Sequence, residues 1–289
     1  MRSLRQHLTV RWKLASSLAS LGPSRWDRLC LMLVPFVMSL WQRVPWLRDR
    51  WLHLRLEKFD RMFTVAISDS SELFVLADVL GDEQYRLPES FCPHTILDLG
   101  SHIGASIIFF NLRYPQASIF GFEPDPGTFR KLQHNVGHLP NVRIFPFAAA
   151  ASDGPMTLFP GRRSWASSLR ADWDDDDRDP IVVEGKTLDT ILHDLGLASV
   201  DLMKIDVEGV ELPILRATPS PEARVAVIVG ELHDLLPGWE TDAAALQDLL
   251  KSRGFTWESR RYGTDRIFVA SAETSELSSR SNERDVSTA

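Results

Sequence analysis

An alternation of short apolar runs and helical segments, beginning near Thr95, constrains the fold more than any other feature of this chain. Thr95 to Gly100 (TILDLG) has strand length and closes in glycine. Residues 104 to 113 follow with helical potential, weakened by β-branched Ile107 and Ile108. Ser118 to Glu123 reads as a second strand, Asp125 to His138 as a helix with Pro126 in its first turn, and Val142 to Ala149 as a third strand. Parallel strands joined through helices cross over right-handedly, so this is half of a doubly wound α/β domain.

The second half is interrupted. Between Asp153 and Thr187 lie turn signals, an acidic run (DWDDDDRDP, 172 to 180) and strand-like pieces at Met156 to Phe159 and Ile181 to Glu184, which predict a hairpin insertion with a flexible loop. Alternation then resumes: a helix at Leu188 to Gly196, a strand at Val200 to Asp206, a short helix after Gly209, a strand at Val225 to Glu231, and a helix from Thr241 to Arg253 stopped by Gly254. Phe255 to Arg260 and Arg266 to Ala270 predict an antiparallel edge. Upstream, Phe63 to Val79 reads as short β or mixed structure, and residues 271 to 289 as a disordered tail.

Charge divides the chain. Residues 1 to 60 hold 11 Lys/Arg against 4 Asp/Glu, whereas residues 61 to 289 hold 21 against 35. The basic segment also carries five of the nine tryptophans: Trp12, Trp26, Trp41, Trp46 and Trp51. Its apolar run, Leu29 to Trp41, contains Pro35 and is shorter than the roughly 20 residues a spanning helix needs. It also starts late for a signal peptide and lacks a small-x-small cleavage site. Two readings remain, a helical extension packed on the main domain and a peripheral membrane contact through residues 1 to 60. Composition thus divides the chain into 1–60, a catalytic-type domain at 61–270, and the tail 271–289. The overall charge of −7 argues against nucleic-acid partners. Cys30 and Cys92 are too few for a disulfide framework, so a reducing, cytoplasmic setting is expected.

Ligands of open α/β sheets bind at the carboxyl ends of the strands. The first strand ends in a DxGxxxG turn, with Gly100 and Gly104 permitting close backbone approach. The GxGxxG pattern of dinucleotide sites is absent, which disfavours a nicotinamide oxidoreductase. Glu123, at the end of the second strand, is placed to accept two ribose hydroxyls. Together these features fit a nucleoside without phosphates, such as S-adenosylmethionine. The same turn and glutamate also occur in many α/β proteins, and a non-catalytic module of this fold is the bland alternative.

The ordered set DLGSHIG (98–104), FEPDP (122–126), AASDG (150–154), SSL (167–169), TLDTIL (187–192), KIDVEGVE (204–211) and ELH (231–233) resembles the FkbM family of S-adenosylmethionine-dependent methyltransferases. The resemblance covers roughly Thr95 to Ala270. It implies a class I methyltransferase, a Rossmann-like doubly wound sheet of strand order 3-2-1-4-5-7-6, and O-methylation of a small-molecule or glycan acceptor. It also implies cofactor contacts at Asp98, Gly100, Ser101, Gly104 and Glu123, with Ala150 to Asp153 near adenine. His102 departs from the asparagine common there, yet a polar ring still serves the turn.

The KIDVEG strand carries the richest catalytic candidates. Lys204 interrupts an apolar strand and demands a partner, for which Asp98 on the adjacent strand is available. Asp206, Glu208, Glu231 and His233 then gather three carboxylates and an imidazole at one rim. A carboxylate or imidazole there can take the proton of an acceptor hydroxyl, with His233 best matched near neutral pH. The same groups could instead hold a divalent metal; the sequence leaves this open. Trp165 and Trp173 lie on the insertion, either as loop anchors or as stacking platforms for a sugar.

Overall fold

The computed structural model describes residues 2–41, 44, 50–161, 163, 166–172, 178–219, 221, 224–232, 240–262 and 265–272. Two helices open the chain, α1 (Arg2–Ser20) and α2 (Arg25–Trp41), the second retaining Pro35 inside it. A hairpin of β1 (Leu52–Lys58) and β2 (Arg61–Ile67) follows, then α3 (Glu72–Leu76), which runs into a π-helical turn at Ala77–Gly81.

The alternating part comprises β3 (Thr95–Leu99), α4 (Ala105–Arg113), β4 (Ser118–Phe122), α5 (Pro126–Val136) and β5 (Val142–Phe145). Asp125 caps α5 by accepting the Thr128 amide at 2.7 Å, and Pro126 supplies the preset first-turn φ. The third strand is shorter than the expected Val142 to Ala149. Pro146 has no amide to donate, so the ladder with β4 stops at Phe145 and the chain moves to another sheet. That sheet joins β6 (Ala148–Ala149) to the insertion hairpin, β7 (Gly154–Leu158) and β8 (Ile181–Lys186), in the order β6-β8-β7.

The second half adds α6 (Leu188–Leu195), β9 (Val200–Ile205), α7 (Glu211–Ala217), β10 (Val225–Leu232), α8 (Glu240–Ser252), β11 (Phe255–Tyr262) and β12 (Asp265–Ala272). The main sheet runs β11-β12-β10-β9-β3-β4-β5. Its β12 is antiparallel to both neighbours, while the pairs from β10 to β5 are parallel. Counting only these seven strands from the β5 edge gives the expected order 3-2-1-4-5-7-6. β12 includes Ser271 and Ala272, which the composition had assigned to a tail; residues 273–289 lie outside the described residues.

Side-chain alternation along the strands builds a core on each face. One face buries Ile96, Ile119, Leu202 and Val227 with α4, and the other buries Leu97, Leu99, Met203 and Ile228 with α6 and α7. The first core continues into the N-terminal elements through Leu14, Leu18, Leu31, Met38 and Leu54. The Glu57 amide donates to the Leu21 carbonyl at 2.8 Å. The change of composition at residue 60 is therefore no packing boundary. It falls in the turn of the β1–β2 hairpin, where Phe59 and Asp60 have φ of +51° and +57°.

Candidate active site

The turn leaving β3 is fixed by its own backbone. Gly100 has φ +79°, and a Cβ there would lie 1.9 Å from the Asp206 carbonyl oxygen. Gly104 has φ +93° and starts α4, with Val136 2.8 Å from where a Cβ would sit. Both positions need glycine, for conformation and for space. His102 is left-handed too, with φ +49°, a region that histidine and asparagine enter more readily than most residues. Its departure from asparagine is thus physically mild. The Ser101 hydroxyl donates to the Asp98 carbonyl at 2.9 Å and accepts the Phe122 amide at 3.0 Å, so it holds β3 to β4.

Glu123 follows β4 directly and is buried. Its two carboxylate oxygens accept the His102 and Asp125 amides, each at 2.9 Å. Burial outweighs those bonds and pushes the carboxyl up to about 7. The His102 ring is driven the other way, down to about 3, by burial and then by the charges of Lys131 and Lys204. It is a neutral ring in the working pH range.

One strand over, Lys204 is only 2% exposed. Its ammonium lies 3.3 Å from Asp98 Oδ1 and 3.5 Å from Asp206 Oδ2, and donates to the Gly100 carbonyl at 2.6 Å. The register explains the first contact, because Asp98 and Lys204 are paired residues of β3 and β9. Burial works against the ammonium, but Asp98 and Asp206 raise its proton affinity above the ordinary lysine value. Asp98 Oδ2 accepts the Ser106 hydroxyl from the first turn of α4 at 2.5 Å. Asp98 is thus a buried anchor that joins β3, β9 and α4.

Tyr85 completes this cluster, and no spacing in the sequence pointed to it. It is buried after the π-helical turn and donates its hydroxyl to Asp206 Oδ2 at 3.0 Å across 121 residues of chain. Burial and then the Asp206 charge hold the phenol well above its usual range. Glu211, quoted in the KIDVEGVE motif without a role, accepts the Val207 and Gly209 amides at 3.0 and 3.3 Å and closes the loop after β9. Within that loop Glu208 is buried, with φ +56°, and its carbonyl accepts the Ser168 hydroxyl at 2.6 Å. This ties the SSL segment of the insertion to the rim.

Glu231 lies half-buried on β10, beside a recess lined also by Gly209, Glu211, Leu232, Asp242 and Leu246. Its charge is felt by both Tyr85 and Lys204. His233, Trp165 and Trp173 lie outside the described residues. Among the described residues no three of His, Cys, Asp and Glu converge as a metal-ligand group. Ala150 is buried and donates its amide to the Lys186 carbonyl at 2.8 Å. Exposed Asp153 spends its carboxylate on the Thr187 amide (2.7 Å) and the Thr190 hydroxyl (2.8 Å), bracing the start of α6.

The sheet order, the glycine turn and the acidic end of β4 define a class I, S-adenosylmethionine-dependent methyltransferase domain. Residues 98–256 match the model of the methyltransferase FkbM domain, and the chain belongs to that family. It is similar to the 2-O-methyltransferase NoeI of Sinorhizobium fredii, 30% identical over 54% of this chain and 71% of that protein. It also resembles the methyltransferase sdnD of Sordaria araneosa, 26% identical over 68% of this chain and 86% of that protein. The AMB antimetabolite synthetase AmbE of Pseudomonas aeruginosa is 27% identical over 75% of this chain, which spans only 12% of that much longer protein.

Proposed function

We propose that this chain methylates a hydroxyl of a sugar, glycolipid or natural product, with the rim between β9 and β10 receiving the acceptor. The observation that carries the reading is the adjacency of two devices at one sheet edge. Beside the two left-handed glycines sits a buried glutamate, and one strand away the Lys204–Asp206–Tyr85 cluster faces the same end of the sheet. The name of NoeI, a 2-O-methyltransferase, supports an oxygen acceptor.

The residues fit the cofactor. Gly100 and Gly104 let the turn pack closely on the Asp206 carbonyl and on Val136, which shapes the end of β3, and Glu123 offers a buried carboxylate for ribose hydroxyls. When bound, S-adenosylmethionine supplies a methyl group already activated by its sulfonium. Glu123 and the turn hold the nucleoside, while Asp98 and Ser106 fix the strand end from which the turn departs.

At the rim, Asp206 is oriented by Tyr85 and Lys204 and accepts a hydrogen bond from the acceptor hydroxyl. On methyl transfer the hydroxyl proton would leave along its hydrogen bond to Asp206, with His233 as the alternative base. Glu208 and Glu231 lend negative charge to the same rim. Alignment supplies most of the acceleration, because the donor needs no further activation.

Methyl transfer assayed against a panel of glycans, glycolipids and polyketides tests this reading. At least one hydroxyl acceptor should be methylated, and His233→Ala and Asp206→Asn should each slow turnover by about 10²-fold or more. Unchanged turnover in both variants would remove these two residues from the mechanism. A protein that binds the cofactor but methylates no hydroxyl of any class would overturn the acceptor assignment.

A further inference from the structure

The second helix is apolar on two opposite faces, and only one of them is covered. Leu31, Pro35 and Met38 of α2 are buried, with Leu31 and Met38 joining the domain core. Trp26, Leu29, Leu33, Phe36 and Val37 are 71%, 49%, 54%, 47% and 45% exposed. At 100° per residue these five fall within an arc of about 120°, facing away from the buried set, and run about 17 Å along the helix. Exposed Cys30 lies in the same arc. A contiguous apolar stripe of this size on a soluble domain marks a binding surface.

Charge selects the occupant. From Arg2 to Trp41 the sequence holds six Lys/Arg and a single acid, Asp27. Asp27 accepts the Ser24 hydroxyl at 2.5 Å at the start of α2 and lies outside the exposed arc. Arg11 and Lys13 are exposed on α1, as are Arg25 and Arg28 on α2, with Lys13 paired to Asp82 at 3.6 Å and Arg28 bonded to the Gly22 carbonyl at 3.0 Å, and Trp12 on α1 is 69% exposed. Residues 61 to 289 carry the acidic excess. An anionic surface would therefore attract this end of the molecule and repel the rest. No described helix is long and apolar enough to cross a membrane. Apolar side chains flanked by arginine, with indoles that favour headgroup depth, are the makeup of a helix lying in the bilayer interface.

We infer that α2 docks the protein on an anionic lipid surface, burying Trp26, Leu29, Leu33, Phe36 and Val37 among the acyl chains while Arg25, at the edge of the stripe, meets the headgroups and the basic excess of the two helices supplies the longer-range attraction. The docking helix is rigidly joined to the domain. Leu31 and Met38 belong to the core, and α1 is tied to the π-helical turn by the Ser17 hydroxyl donating to the Ala77 carbonyl at 3.0 Å. This inference does not depend on the methyl-transfer reading.

The test is flotation of the full chain with vesicles of phosphatidylcholine alone and with about one-third phosphatidylserine, at about 0.05 M and about 0.5 M salt. The expected result is flotation with the anionic vesicles, weakened several-fold by salt and by omitting phosphatidylserine, and reduced about tenfold or more in Leu29→Glu/Leu33→Glu. Both positions are exposed, so the variant should keep the wild-type melting temperature, which is measured alongside. Should that variant lose its melting transition, Arg25→Glu/Trp26→Ala, at the exposed edge and face of the stripe, takes its place with the same expectation. Failure to float with anionic vesicles at low salt would overturn the inference, as would flotation indifferent to these variants. So would a stripe-dependent dimer in ultracentrifugation without flotation, which would assign the face to a second copy of the chain.

Discussion

The loops after β3 and β9 leave neighbouring strands at the same sheet edge, yet they are held by different means. The β3 loop is fixed mostly from within one stretch, 98 to 125, by main-chain bonds to Phe122, by the Ser101 hydroxyl and by Glu123 taking the His102 and Asp125 amides, with Lys204 on the Gly100 carbonyl and Asn135 on the Ile103 carbonyl added from outside it. The β9 loop takes two of its ties from distant segments, Tyr85 on Asp206 and Ser168 on the Glu208 carbonyl, and a third from nearby Glu211 on two loop amides. A ligand pocket specified by backbone tolerates little change of residue. A rim assembled from remote side chains can be re-shaped by changing those segments alone.

Lys204 bridges the two loops, so its removal should have the largest effect. Lys204→Met leaves buried Asp98 without its counter-ion and should cost about 3–5 kcal/mol in denaturant unfolding, with partial recovery on adding Asp98→Asn. A loss under about 1 kcal/mol would mean that the pair does not hold the loops together.

Gly100→Ala should follow, at about 2–4 kcal/mol, because its Cβ meets the Asp206 carbonyl and the φ of +79° is retained only with strain. Gly154→Ala is the informative partner. It shares a positive φ, +117°, but has open space around it, so it should cost only about 1 kcal/mol. Equal losses would show that conformation alone, and not the close approach to β9, fixes the first glycine.

Tyr85→Phe removes one bond to Asp206 and should slow turnover by about tenfold while leaving cofactor affinity unchanged. A matching loss of cofactor affinity would erase the distinction between the two loops.

The smallest effect is a pH dependence. Glu123 titrates near 7, above its ordinary value, so its contribution to the stability of the ligand-free protein is full below about 4.5 and lost as pH rises through 7. Ribose hydroxyls favour the ionised carboxylate. Cofactor affinity should therefore tighten, by up to about tenfold, between pH 6 and 8, and Glu123→Gln should flatten that slope.

What the sequence disclosed follows the same division. The alternation of strands and helices, the glycine turn and the strand-end Glu123 were legible because each rests on local pattern, whereas the strand order, and with it the Asp98–Lys204 neighbourhood, came through the resemblance to the FkbM family. Tyr85 was not, because its contact with Asp206 spans 121 residues and a lone aromatic in a loop has no spacing to betray it. The π-helical turn before it leaves no periodic signature. Asn135 was invisible for the same reason, though its amide reaches both the Ala66 main chain and the Ile103 carbonyl and so joins the β1–β2 hairpin to the turn after β3. The buried pair of Glu72 and Lys131 likewise joins α3 to α5 across the fold. The split of the third strand was readable, since Pro146 stands inside the run assigned to it.

The turn after β3 should receive a sulfonium nucleoside and not a dinucleotide. Calorimetric titration of the full chain with S-adenosylmethionine and, separately, with NAD tests it most directly. The expected result is one-to-one binding of S-adenosylmethionine that Glu123→Ala abolishes, and no heat from NAD. Binding of NAD, or no binding of S-adenosylmethionine by the folded protein, would contradict it.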